Sequence, residues 1–107
     1  MFKFGDIVVI NFPFSNSQGS KRRPAMVIKE TDDGDILIVK ITSKIYNGQF
    51  DVKIKDWKSA ELLSESIIRM HKIQTIHSSL VFAHIGSLSS SDIKLARQAL
   101  INLILSL

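Results

Sequence analysis

Lys21-Arg22-Arg23-Pro24-Ala25-Met26-Val27-Ile28 runs three successive cations into an apolar segment with a single proline between them. Pro24 fixes its own φ and biases Arg23 toward an extended conformation, so the Arg23 guanidinium leaves the start of the following strand in a defined direction. A planar guanidinium is the side chain best shaped to hold a phosphate at two points. The same residues read equally well as a solubilising loop tip ahead of a strand, so the surrounding chain has to decide between the two.

Upstream, Gly5-Asp6 opens a short Ile- and Val-rich run over residues 7–11, bounded by turn residues and expected as a strand. Residues 15–22, Ser-Asn-Ser-Gln-Gly-Ser-Lys-Arg, are polar and too many for a tight hairpin; they predict a mobile loop that ends in the cationic cluster. Downstream, residues 25–29 and 36–41 read as two further strands joined by the turn Asp32-Asp33-Gly34-Asp35, which makes the first three strands a meander. Residues 51–55 alternate as a half-exposed strand with Lys53 and Lys55 outward. Asp56 is placed to cap one or two helical turns through residue 63. Residues 66–73 form another strand, and Val81-Phe82 a further short pairing. Ser89-Ser90-Ser91-Asp92 then caps a terminal helix whose apolar positions Ile93, Ala96, Leu100, Leu103, Ile104 and Leu107 recur at helical spacing. Leu95, Ala99, Ile101 and Leu105 widen that face beyond what one small sheet covers, which points to a partner surface. The pattern is mainly β with a C-terminal α-helix, a small SH3-like barrel.

The chain has 107 residues, 45% of them hydrophobic and 22% charged, which is enough for one core and predicts one domain over residues 1–107. Its net charge of +4 permits a polyanionic partner without requiring one. The absence of cysteine removes disulfide and thiolate chemistry. No apolar run approaches the ~20 residues of a membrane span, so a cytoplasmic protein with no membrane partner is expected. No adjacent helix pair exists to carry a groove-reading helix of the kind that binds DNA.

Three histidines, His71, His77 and His84, lack any spacing that gathers metal ligands, so no metal site is expected. No serine lies in a nucleophile elbow and no glycine-rich phosphate loop occurs, so no nucleotide cofactor is expected either. What remains is a set able to hold and cleave a phosphodiester: Arg23, Thr42, Ser43, Arg69 and His71. Arg69 and His71 share strand parity, which would project both from one face about 6.6 Å apart. A solvent-facing outer edge would show the same pair.

Taken together, Gly5-Asp6-Ile7-Val8 with Asn11-Phe12-Pro13-Phe14, Lys21-Arg22-Arg23-Pro24-Ala25, Ile41-Thr42-Ser43, the run Arg69-Met70-His71-Lys72-Ile73-Gln74-Thr75-Ile76, and Gly86-Ser87-Leu88 resemble the MazF/PemK (Kid) toxins. The resemblance spans nearly the whole chain in the right order. It implies a homodimeric endoribonuclease of a type II toxin–antitoxin pair, cutting single-stranded RNA without a cofactor and neutralised by a cognate antitoxin.

Residue by residue, the resemblance matches Arg23 to the family's Arg-Pro motif that contacts the scissile phosphate, and Thr42 to its hydroxyl residue at the end of the third strand. Arg69 matches the second arginine of the Kid-like branch. His71 stands where that branch carries an acidic residue, and a neutral imidazole suits a base at pH 7. Arg23, Thr42, Arg69 and His71 are therefore the expected catalytic residues, with Ser15, Gln18, Lys21, Arg22, Ser43 and Lys72 binding substrate. The acid for the leaving oxygen is open between Arg69 and water. Two other classes stay in view: a CcdB-like toxin that inhibits a protein such as DNA gyrase, against which the Arg23-Pro24 and Ile41-Thr42 motifs argue, and an RNA-binding barrel that never cuts.

Overall fold

A computed structural model describes residues 1–13 and 20–107 of the chain. The described chain forms β1 (Asp6–Pro13), β2 (Ser20–Glu30), β3 (Asp35–Thr42), β4 (Asp51–Ile54), β5 (Ser66–His77), β6 (Val81–Ser87) and the helix α1 (Ser90–Leu105). The strands make one antiparallel sheet in the order β4-β5-β3-β2-β1-β6. The fold is the expected one, mainly β with a C-terminal helix, but the sheet is not closed: β4 and β6 are its two edges.

Alternation along the strands sorts the apolar residues into two clusters on opposite faces. Val8, Ile10, Ala25, Val27, Ile36, Ile38 and Ile76 form one, completed by Phe2, Leu80 and Val81. Ile7, Met26, Val39, Ile41, Ile54, Ile68 and Met70 form the other, which α1 covers with Ile93, Ala96, Leu100 and Leu103. Each fully buried isoleucine contributes about 1.5–3 kcal/mol of burial, so these two layers outweigh any single surface contact. Gly5, at φ +92°, lies where a Cβ would meet Ile93 at 2.9 Å, so the helix seats directly on this turn. The packed face of α1 runs through Ile93, Ala96, Ala99, Leu100 and Leu103; Ile104 and Leu107, expected inside, are 57% and 100% exposed.

Three local expectations are corrected. Lys21, Arg22 and Arg23 belong to β2 rather than to a loop tip, because β1 runs on to Pro13 and pairs Phe12, Asn11 and Ile10 with them. Pro24 is tolerated there because pairing with β3 begins only at Ala25, so at this rung β2 has a neighbour on one side. The segment after β4 is a series of turns with no helical run: Ala60 N–H donates to Asp56 and Leu62 N–H to Trp57, bonds of different span, and Glu61 adopts φ +65°. Asp56 does not cap it; its carboxylate accepts from Ser91 Oγ at 3.4 Å. Lastly, β5 continues past Ile73 to His77, carried by pairing with β3 down to Asp35. No described helix is long and apolar enough to cross a membrane.

Candidate active site

The rungs Ala25–Lys40, Lys40–Arg69 and Arg69–Asp51 line up across β2, β3, β5 and β4. Arg23 lies two residues before Ala25 and Thr42 two residues beyond Lys40, so alternation directs Arg23, Lys40, Thr42 and Arg69 to the same face at one end of the sheet. This is the face that α1 leaves uncovered.

A groove of about 420 Å³ opens there, walled by Lys21, Arg23, Lys40 and Lys72 over Pro24, Ala25 and Ile38, with Ile73 and Gln74 closing one side. Four cations and no carboxylate line it, so its potential attracts a polyanion, while the apolar floor offers a surface for a sugar or base. Arg23 is exposed, and no described carboxylate pairs with it. Arg22 alternates to the other face, where its guanidinium lies 3.7 Å over the Phe82 ring. Lys72 and Lys21 thus join Arg23 at the groove and Arg22 does not. Ser15 and Gln18, with most of the expected mobile loop, lie outside the described residues.

Thr42 Oγ1 accepts the Lys44 N–H at 3.1 Å, which leaves its own O–H able to donate. Ser43 follows in an exposed bend. Arg69 is held from two sides: its Nε–H donates to Asp51 Oδ1 at 3.0 Å, and its guanidinium stacks 3.6 Å over the Tyr46 ring. The other Asp51 oxygen accepts the Gly48 N–H at 2.8 Å. Burial pushes the Asp51 carboxyl up. The Arg69 hydrogen bond, the Gly48 N–H, the Arg69 charge and a smaller effect of His71 outweigh it, leaving the group below its ordinary value.

His71 falls in an irregularity. Val39 pairs with Ile73 while the next residue, Lys40, pairs with Arg69, so residues 70–72 have no partner on β3. The strand parity assumed for Arg69 and His71 is therefore interrupted between β3 and β5. His71 is exposed. The other two histidines are engaged elsewhere: His77 Nδ1 accepts the Ser79 N–H, and His84 Nε2 lies 3.0 Å from the Gly86 carbonyl. Among the described residues no three His, Asp or Glu side chains converge as a metal-holding group.

Sequence reasoning missed Lys40, Asp51 and Tyr46. Lys40 was hidden as an ordinary outward residue of a strand. Asp51 and Tyr46 stand far from Arg69 along the chain, and no local pattern links them to it; an aspartate at the start of an edge strand was the only signal.

No curated protein matches the sequence. Among solved structures, the fold is similar to an endoribonuclease from a mycobacterial species in complex with its cognate antitoxin, at a TM-score of 0.78 and 10% identity, covering 97% of this chain and 95% of that one. It is similar to the Mycobacterium tuberculosis toxin MazF-mt6 at 0.74 and 17% identity, covering 92% and 95%. The MazE-MazF complex of Deinococcus radiodurans aligns at 0.75 and 19% identity, covering 96% and 95%. At these identities the likeness is one of fold. The sequence itself matches the PemK-like, MazF-like toxin of type II toxin-antitoxin systems over residues 3–104, and the chain belongs to that family.

Proposed function

We propose that this protein is an endoribonuclease toxin that cuts single-stranded RNA. The observation that carries the reading is the acid-free groove of Lys21, Arg23, Lys40 and Lys72, with Thr42 and Arg69 on the same face of the sheet. The presence of endoribonucleases among proteins of this fold agrees with it. In the reaction, the ribose 2′-oxygen beside the scissile bond attacks its own phosphorus, the bond to the 5′-oxygen breaks, and the products are a 2′,3′-cyclic phosphate and a 5′-hydroxyl. DNA lacks the attacking group and is not a substrate. His71 accepts the 2′-proton, Arg23 and Arg69 stabilise the charge gathered on the phosphorane, and Thr42 or Ser43 donates to a phosphate oxygen. Water protonates the leaving oxygen, because a guanidinium does not readily give up a proton.

The test is incubation with mixed RNA in EDTA, followed by mapping of the ends. Cyclic phosphate and 5′-hydroxyl ends, with cleavage lowered on the order of 10² to 10³ in Arg23→Ala, are expected. Cleavage abolished by EDTA and restored by a divalent ion defeats the mechanism. RNA that binds in a salt-dependent manner and is never cut makes the protein a binding barrel instead.

A further inference from the structure

The Asp51 carboxylate cannot serve as an acid or base toward substrate. Its side chain is 2% exposed, and each oxygen already accepts a hydrogen bond, one from Arg69 Nε–H and the other from Gly48 N–H. A carboxylate this buried persists only when paired, and the pairing it makes is asymmetric. Arginine has five N–H donors, and Asp51 takes the one at Nε. The four at Nη1 and Nη2 meet no described hydrogen-bond acceptor. The Tyr46 ring lies 3.6 Å from the guanidinium and sets the orientation of its plane. One edge of Arg69 is thereby anchored and the other presented, the geometry that two-point phosphate binding needs.

We propose that Asp51, with Tyr46, is a positioning residue of this site: it locks the Arg69 side chain so that the Nη edge faces the scissile phosphate before RNA arrives. The proposal rests on the RNA-cleaving reading for its kinetic consequence, but the lock itself exists in the free protein. Without it, a long and flexible side chain has to be ordered during the reaction, and small misplacement of a charge-stabilising group is costly in rate. The depressed carboxyl of Asp51 agrees with a charge-paired resting state. Gly48 belongs to the same arrangement. A Cβ at that position would lie 2.7 Å from Asp51 Oδ2, so any side chain there must displace the carboxylate from its place.

Two measurements on the full chain test this. In ¹⁵N NMR at neutral pH, the Arg69 Nε–H, assigned by its loss in Arg69→Lys, should exchange slowly in wild type and rapidly in Asp51→Asn. In cleavage kinetics, Asp51→Asn should lower kcat by about 10- to 100-fold with KM changed far less. Gly48→Ala, which leaves every charge in place, and Tyr46→Leu should shift kcat in the same direction. Asp51→Asn combined with Gly48→Ala should cost little more than either substitution alone. A folded Asp51→Asn with wild-type kcat overturns the proposal, as does an Arg69 Nε–H that exchanges freely in wild type. Should Asp51→Asn fail to fold, unchanged kcat in both Gly48→Ala and Tyr46→Leu overturns it equally. Wild-type protein that cuts no RNA, yet protects Arg69 Nε–H through Asp51, removes the enzymatic reading and leaves the lock standing.

Discussion

The carboxylate of Asp92, in the first turn of α1, accepts the backbone N–H of Lys55 at 3.1 Å and also that of Asp56 at 2.9 Å. Asp92 is 1% exposed and Ser89 caps its own N–H, so one buried side chain ties the start of the helix to the end of the edge strand β4. The capping sequence around Ser89 was legible, but these bonds of Asp92, made across more than thirty residues, were not.

Asp92→Ala is therefore expected to destabilise the fold by about 1–3 kcal/mol, because two partly buried backbone N–H groups lose their acceptor and the helix loses a favourable charge at its positive end. Denaturant unfolding measures this directly. Since Asp92 lies on the helix side of the sheet, kcat at temperatures where the variant is fully folded should match wild type. A variant as stable as wild type would show that water replaces the carboxylate at no cost.

His71 is the base in the proposed reaction, and His77 and His84 provide controls because each is engaged in a contact of its own. His71→Asn should lower kcat by about 10²- to 10⁴-fold with little change in RNA affinity. His77→Asn and His84→Asn should leave kcat near wild type. If His77→Asn lowers kcat as strongly, the wrong imidazole has been assigned.

The strands over residues 7–11, 25–29 and 36–41 were legible because short Ile- and Val-rich runs between turn residues have few alternatives. The length of β2 was not, since Pro24 looks like a boundary in sequence and becomes acceptable only where β3 is absent on one side. Arg23 and Thr42 stood out in the chain through the resemblance, one in the Arg-Pro motif and the other at a strand end. The condition of Arg69 could not: whether a cation is free or locked depends on Asp51 and Tyr46, contributed by another strand and another loop. The irregularity at residues 70–72 was equally hidden, because alternation counts residues and cannot register which of them lack a partner on β3.

The charge pair of Asp51 and Arg69 also has a pH signature. Because the folded carboxyl lies below its ordinary value, its contribution to stability is complete above about pH 4 and fades as pH falls through the depressed folded value. The stability gap between wild type and Asp51→Asn should accordingly be constant near neutrality and close in acid. Chemical unfolding at a series of pH values checks the sign. A gap that widens on acidification contradicts the pairing.

Assembly and control turn on the outer side of α1. Ile101, Ile104 and Leu105 lie together at helical spacing on its outer side, 42%, 57% and 76% exposed, beyond the reach of the chain's own sheet. A stripe of this kind is best covered by a second copy, and a twofold dimer burying about 1,200–2,000 Å² is expected, with RNA lying across it. Ile101→Glu with Ile104→Glu should shift sedimentation toward the monomer and lower cleavage together. An antitoxin segment rich in acidic and apolar residues matches the groove of Lys21, Arg23, Lys40 and Lys72, where carboxylates meet cations and apolar side chains meet Pro24, Ala25 and Ile38. Direct competition with RNA is then the expected mode of inhibition. In a titration of dimer with an uncleavable RNA analogue, antitoxin peptide should raise the apparent Kd of the RNA in proportion to its own concentration, without a plateau. A plateau marks a ternary complex and remote coupling, and a protein that cleaves fully while sedimenting as a monomer at micromolar concentration removes the dimer from the account.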